Sequence, residues 1–514
     1  MESTLIPRSP RERRRAPSLV DVTPGRVERA AIERDATSSI LVLGEAGHGK
    51  TTVLVLRVAH LVRRARGRLR VAVVVPTEGL VRLLDPLFRR AGADVEVGTF
   101  DRWAAAQARR LFRWLPRESE LTPANVMRLK RAEAVRLALQ ELSKHPPGRV
   151  DDDYDVPLPP TARRVSRGDL QHLFGDRSRM ERVARAAGLP MTCVEDVLDR
   201  TRVQLGPTAE REYAHVNDLD RLRAVDGRAM DEGTATRHAD TVDVEDYAVL
   251  FELERLRSSA RGRAPLAPRA FDLIAIDEAQ EFAPLELALL GRSLSPGGSF
   301  VVSGDADQQT DDTTAFAGWD AVLRELGGGT WESVKLEIGY RCPPHVEALA
   351  RAIRDGAHVP AGVLSRSDRI ERPDATPGAR SAETRLCTYP DEQSMCARLG
   401  AEIDVLVSRD RRASIAVVCR FAPTARRLLG LFRETLPMRL VQDGRFLPRG
   451  AAQITTVDEI KGLEFDYVIV PDADATTYPG DAASRRALYV AVTRARHQLV
   501  LAKVRAPTPL LDSA

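Results

Sequence analysis

The chain has 514 residues, 43% of them apolar and 29% charged, with a net charge of +4. That composition belongs to a globular protein with a packed core, and the length suggests about three domains. It excludes a strong nucleic-acid footprint spread over the whole chain, and no apolar run approaches membrane-spanning length.

The basic residues are nearly all arginine, with only six lysines. Two of these, Lys50 and Lys461, fall inside motifs. The five cysteines form no C-x-x-C pair and have no histidine cluster beside them, so zinc is not expected. An odd number of cysteines without a signal-peptide pattern points to a reducing cytoplasm. Residues 1–28 read as a disordered basic tail, with Arg8, Arg11, Arg13, Arg14 and Arg15 among Ser and Pro.

From residue 29 the pattern alternates helix and strand. Ser39-Ile40-Leu41-Val42-Leu43 reads as a short buried strand and Val53–Leu61 as a helix. Between them, Gly44-Glu45-Ala46-Gly47-His48-Gly49-Lys50-Thr51-Thr52 fits the phosphate-loop pattern G-x-x-x-x-G-K-[ST] at every fixed position. Gly44, Gly47 and Gly49 let backbone N–H groups curl around phosphate oxygens, and the following helix adds partial positive charge. Lys50 is expected on the β- and γ-phosphates, Thr51 on Mg²⁺, and Thr52 beside them. Arg70–Thr77 and the stretch ending Val97-Gly98-Thr99-Phe100 read as further strands.

Residues 104–265 change character. Arg/Ala/Leu/Glu stretches such as Arg128 to Leu142 have helical periodicity, broken by His145-Pro146-Pro147-Gly148, Asp151-Asp152-Asp153 and Pro157–Pro160. A mostly helical insertion is expected. Alternation resumes at Phe271–Ile276, which runs into Asp277-Glu278-Ala279-Gln280, and at Ser299–Ser303, which runs into Gly304-Asp305. Acids at the C-terminal ends of such strands complete a nucleotide site: Asp277 can hold Mg²⁺ with Thr51, and Glu278 can polarise the attacking water. A second α/β unit follows from 331, with strands at Ala413–Cys419, Gln453–Thr456, Tyr467–Val470 and Leu499–Ala502.

On these motifs the chain resembles superfamily 1 helicases of the UvrD/Rep type. Gly44 to Thr52 matches motif I, Val97 to Trp103 resembles motif Ib, Asp277 to Gln280 matches motif II, and Gly304–Gln308 matches the G-D-x-x-Q of motif III. Gly339-Tyr340-Arg341-Cys342 resembles N-Y-R-S, Lys461–Phe465 matches motif V and Leu488–Arg496 matches motif VI, all in the family's order. The resemblance implies an α/β fold of two RecA-like P-loop domains with parallel sheets. The first would comprise 29–103 and 266–330, with 104–265 as its helical, 1B-like insertion. The second would comprise 331–514; only 33 residues separate Cys419 from Gln453, so a large 2B insertion is not expected. Implied roles follow position by position. Gln308 senses the γ-phosphate, Tyr340 stacks on the base, Glu464 bonds the ribose, and Arg341 and Arg494 reach the γ-phosphate from the second domain. ATP and Mg²⁺ are the implied cofactors.

The departures from the family lie on the side that would track nucleic acid. Arg26 stands where an adenine-reading Gln is usual, and Val75-Pro76-Thr77-Glu78 offers no stacking aromatic. Asp101 and Asp458 replace histidines, and Gln309–Thr314 is polar and acidic, with Phe316 and Trp319 reading as core packers. Stacking is worth about 1–3 kcal/mol per base, and acid near phosphate is repulsive. The leading expectation is an ATP-dependent DNA helicase or translocase moving on single-stranded DNA or RNA. The alternative is an ATP-driven remodeller of a protein partner, such as RNA polymerase or a repair or defence nuclease. A long insertion between motifs Ib and II, with the Lys-Gly-Leu-Glu-Phe-Asp run, also resembles the HelD branch, whose members act on RNA polymerase. No membrane partner is expected.

Overall fold

The computed structural model describes residues 23–66, 68–144, 164–206, 221, 223, 238–327, 329–337, 342–367, 384–447 and 450–512. The Pro-rich and acidic punctuation between 145 and 160 lies outside the described residues, as do residues 1–22 and the Gly339-Tyr340-Arg341 motif. Among the described residues, no helix is long and apolar enough to cross a membrane.

The fold is mixed α/β, built on two parallel sheets. The first half of the chain contributes β1 (Ser39–Gly44), β2 (Val71–Val75), β3 (Glu96–Thr99), a short pair β4 (Arg117–Glu118) and β5 (Thr241–Val242), then β6 (Phe271–Ile276), β7 (Leu294–Gly304) and β8 (Trp331–Leu336). The second half contributes β9 (Leu364–Ser367), β10 (Thr384–Thr388), β11 (Ile415–Cys419), β12 (Arg439–Leu440), β13 (Ala452–Thr456), β14 (Phe465–Val470) and β15 (Ala495–Lys503). The first sheet runs β3-β2-β6-β7-β1-β8 and the second β12-β13-β11-β14-β15-β10-β9, with every pairing in both parallel.

Parallel strands need crossover helices and bury both faces, which is why β2 is five buried residues in a row. Alternate residues serve different cores. Leu41, Ala72, Val74, Ile274 and Phe300 face one side of the first sheet, whereas Ile40, Val42, Val73, Leu273 and Val301 face the other. The far side is covered by α1 (Arg26–Glu33), α2 (Lys50–Arg64) and α3 (Glu78–Arg90). Arg57 of α2 is fully buried, and its guanidinium donates to the carbonyls of Ala31, Arg34, Asp35 and Ser38. It thereby satisfies orphan carbonyls at the end of α1.

The near side carries α4 (Phe100–Leu111) and the insertion: α5 (Ala124–Arg131), α6 (Val135–Lys144), α7 (Arg167–Phe174), α8 (Arg177–Ala187), α9 (Met191–Leu205) and α10 (Glu245–Ala260). Its apolar residues form one core with the first sheet. Asp243, fully buried, is its polar hub. The Asp243 carboxylate accepts from Arg200 Nη2 at 2.7 Å, Lys130 Nζ at 2.8 Å, Gln204 Nε2 at 2.8 Å and Ser119 Oγ at 2.6 Å. Burial opposes ionisation there, but Arg200 and Lys130 hold the carboxyl well below the usual range. Removing one partner of a buried pair strands a charge, so Asp243→Ala is expected to lower stability by about 3–5 kcal/mol in urea unfolding. An unchanged midpoint would remove the hub from the account.

The remaining helices are α11 (Pro284–Gly291), α12 (Trp319–Leu326), α13 (Pro344–Asp355), α14 (Glu392–Arg409), α15 (Ala422–Phe432) and α16 (Ala482–Val492). Three boundaries differ from the sequence expectation. Helix α1 starts at Arg26, inside the span read as tail. The Arg128–Leu142 stretch is two helices, because the chain turns extended at Ala132 after α5. Residues 331–336 do not open the second unit: β8 pairs with β1 over all six residues, and Trp331 stacks on Phe300 at 5.5 Å. Edge pairing to β1 and that aromatic contact hold the strand in the first sheet, so the crossing between sheets falls after Leu336.

Candidate nucleotide site between the two sheets

Three adjacent strands of the first sheet, β6, β7 and β1, deliver the site. Because they are parallel, the segments following their C-terminal ends lie along one edge. After β1 the chain makes the glycine loop and enters α2 at Lys50. Gly49 caps that helix at φ 86°, a left-handed conformation that disfavours any side chain. Lys50 Nζ donates to the carbonyls of Gly44 at 2.7 Å and Glu45 at 3.1 Å, and lies 3.7 Å from Asp305 Oδ2. Thr51 follows it and Thr52 continues the first turn.

Thr51 Oγ1 donates to Asp277 Oδ2 at 2.8 Å, joining the loop to the end of β6 across 226 positions of sequence. Asp277 is fully buried, and its other oxygen accepts from Ser303 Oγ at 2.7 Å. Burial and the adjacent Glu278 push the Asp277 carboxyl up to about 6. A hydroxyl and a desolvated carboxylate beside a phosphate loop form the donor set Mg²⁺ takes when phosphates supply its other ligands. Thr51 and Asp277 therefore fit that ion.

Glu278 sits in the left-handed region, at φ 55° and ψ 46°, although it is not a glycine. Strained residues of this kind cluster where function over-determines the backbone. Gln280 holds it in place: Nε2 donates to Glu278 Oε2 at 2.7 Å, while its Oε1 accepts the Asp305 N–H at 3.1 Å. Gly304 has to be glycine there, since a Cβ would lie 2.5 Å from Gln280 Oε1 and 2.3 Å from Trp319. Gln308 Nε2 donates to Asp305 Oδ2 at 2.6 Å.

The second sheet's helices close over this edge. Arg494, just past α16, is 5% exposed; its Nη2 donates to Gln308 Oε1 at 2.6 Å and its Nε to Val490 O at 3.0 Å. The result is an unbroken hydrogen-bonded path from Arg494 through Gln308, Asp305 and Gln280 to Glu278. Glu464 is tied instead to Arg496 at 2.7 Å. Tyr340 and Arg341 lie outside the described residues, and Arg26 is exposed on α1.

Residues that sequence reasoning did not single out also reach the loop. The Ala46 N–H donates to Tyr489 Oη at 3.4 Å, and Arg354 Nη1 meets Glu45 Oε1 at 2.6 Å. The signals for these in the sequence are Glu45, an acid inside a phosphate loop, and the place of Tyr489 within Leu488–Arg496. Lys461, 3.1 Å from Glu281 Oε2, is a further inter-unit pair, and both are buried. Asp458 lies 3.1 Å from Lys461 and accepts from Thr310 Oγ1 at 3.2 Å.

Residues 451–502 match the family model described as the UvrD-like helicase C-terminal domain. The UvrD-like segment spans β13, β14, α16 and most of β15, and so carries Lys461, Glu464, Tyr489 and Arg494. No curated protein matches the chain. Among solved structures, one described as the C-terminal domain of a possible DNA helicase from Lactobacillus plantarum WCFS1 is 19% identical. That alignment covers 34% of this chain and 92% of the other, at a TM-score of 0.26.

Beside the UvrD-like segment, a cavity of about 370 Å³ opens between the two sheets. It is lined by Pro76, Thr77, Phe100 and Asp101 from one side and by Arg420, Phe421, Thr456 and Asp458 from the other. Eight of its lining residues are acids and three are basic. Burial and Asp243 push one of the acids, Glu245, well above the usual carboxylate range. Arg131 and Lys461, already paired with Glu286, Asp311, Glu281 and Asp458, are two of the three cations. Phe421, 49% exposed, is the aromatic at the rim. Phe316 and Trp319 pack on each other at 5.0 Å against the first core.

Proposed function

We propose that this protein is an ATP-driven motor of the helicase type, in which two RecA-like domains close on one nucleotide. The first would comprise 29–103 and 266–336, the second 337–514, with 104–265 inserted in the first. The observation that carries the reading is the hydrogen-bonded path from Arg494 of the second unit through Gln308 to Glu278 of the first, beside the Thr51–Asp277 contact. Bound ATP and Mg²⁺ would supply the scissile phosphoryl group and neutralise its charge. The backbone of Gly44 to Gly49 would cradle the phosphates, Lys50 would pair with them, and Thr51 and Asp277 would hold the metal. Glu278, aimed by Gln280, would take the proton from the attacking water. Arg494, and Arg341 with it, would stabilise charge spreading over the γ-phosphoryl oxygens. Because Arg494 and Glu278 belong to different units, hydrolysis would alter the hydrogen-bonded path that links them and drive relative motion.

The helicase-type segment favours single-stranded DNA or RNA as the track. The acid-lined cavity favours the second reading, a remodeller of a protein partner such as RNA polymerase or a nuclease, because carboxylates repel a phosphate backbone. An ATPase titration with single-stranded DNA and RNA at low salt separates them. Stimulation that weakens steeply as salt rises supports the nucleic-acid track. Hydrolysis indifferent to both polymers removes it and leaves the partner reading. In a nucleic-acid motor, Gln308→Ala is expected to reduce stimulated turnover more than basal turnover, since Gln308 lies between Asp305 and Arg494.

A further inference from the structure

Two side chains of the second unit sit directly on the phosphate loop. Tyr489 takes the N–H of Ala46, one of the donors that would otherwise face phosphate. Arg354, at the end of α13, takes the carboxylate of Glu45 at 2.6 Å. The same guanidinium lies 2.7 Å from Asp355 and 3.9 Å from Asp307, in the turn that presents Gln308. Arg354 thus spans the mouth between the loop and that turn. Its side chain is 19% exposed and that of Glu45 38% exposed, so both reach solvent at this edge. Helices α13 and α16, which carry Arg354 and Tyr489, pack on each other, so the two contacts belong to one surface.

An acid inside a phosphate loop works against its ligand. Glu45 would repel a polyphosphate unless a cation shields it. A polyphosphate carries several charges where Glu45 carries one, and a guanidinium binds phosphate oxygens with a planar fork. The incoming anion therefore competes with Glu45 for the same group. We infer that Arg354 is a further ATP-binding residue, contributed by the second unit and held on Glu45 until the phosphates take it over. Glu45 is then an affinity-setting residue: its carboxylate keeps Arg354 at the mouth and opposes the ligand once Arg354 has moved. This rests on the ATP reading above.

The sign of the effect distinguishes this role from a plain inter-unit tether. Binding of a fluorescent ATP analogue with Mg²⁺ is measured on the full chain. Arg354→Gln is expected to weaken binding about tenfold, because it removes a charge-assisted contact and leaves Glu45 unshielded. Glu45→Gln is expected to tighten binding about threefold, the scale of an exposed charge interaction. Arg354→Lys, which keeps the charge but not the fork, falls between Arg354→Gln and wild type. Thermal melts establish that each variant is folded. If Arg354→Gln and Glu45→Gln shift affinity in the same direction, the pair is a tether and the inference is overturned; unchanged affinity in Arg354→Gln overturns it equally. Lys50→Ala is the control for the underlying reading. If it binds as wild type does, the ATP site itself is misassigned, and Arg354 falls with it.

Discussion

Replacing Glu278 with glutamine is expected to reduce ATP hydrolysis by about 10²–10⁴-fold while leaving nucleotide binding within a few-fold of wild type. The substitution is close to isosteric, so shape at the end of β6 is kept. What changes is the proton acceptor. Glu278 is buried and receives a hydrogen bond from Gln280 Nε2 on one oxygen, which leaves the other oxygen as the proton acceptor the reading requires. A glutamine cannot accept the proton of an attacking water. The phosphate loop, Lys50 and the Thr51–Asp277 contact are untouched, so affinity should survive. Single-turnover hydrolysis and equilibrium binding, measured on the same preparation, check both halves. Normal turnover would overturn the assignment of the acid, and with it the meaning of the left-handed backbone at that position.

Arg494→Ala is expected to lower turnover by about 10³-fold or more, the range over which an arginine supplied to a γ-phosphoryl group acts. Arg494 holds Gln308 and, through Asp305 and Gln280, the carboxylate of Glu278. Its loss removes a transition-state charge and the inter-unit end of the path together. The alanine also leaves the carbonyl of Val490 and the side-chain oxygen of Gln308 without this donor, so some stability is lost as well. Arg494→Lys separates the two effects, because it restores charge without the fork. Partial recovery of stability without recovery of turnover would identify the planar guanidinium as the required group. Full turnover in Arg494→Ala would remove the second unit from the chemistry. Binding of the ATP analogue is the companion readout, since a group that acts in the transition state changes turnover more than affinity.

The motifs were legible because each is a local event. A glycine loop between strand and helix needs particular backbone angles at Gly47 and Gly49, and those angles leave a residue-type signature at fixed spacing. Buried parallel strands such as Val71–Val75 announce themselves as apolar runs for the same reason. The acids after β6 and Gln308 after β7 were legible as chain-end residues of such strands. By contrast, the assignment of 331–336 to the second unit failed, because a short strand carries no mark of the sheet it joins. Its partner, β1, is nearly 300 positions earlier. The Arg128–Leu142 run read as one helix because amphipathic periodicity continues across the break at Ala132, where the backbone turns.

The sequence by itself determined the motifs: a phosphate-loop pattern, two acids after a buried strand, and a UvrD-like segment bearing an arginine. Those features rest on short-range sterics and on burial, which each stretch of chain expresses alone. Only the tertiary structure decided what surrounds them. The strand order β6-β7-β1 brings Asp277, Asp305 and Thr51 to one edge. The packing of α13 and α16 sets Arg354 and Tyr489 on the loop. The cavity's eight lining acids, Asp101, Glu281, Asp311 and Asp458 among them, are scattered along the chain. Charge spread evenly through a sequence becomes a field only when folding gathers it at one place, and an overall balance of +4 gives no sign of where that happens.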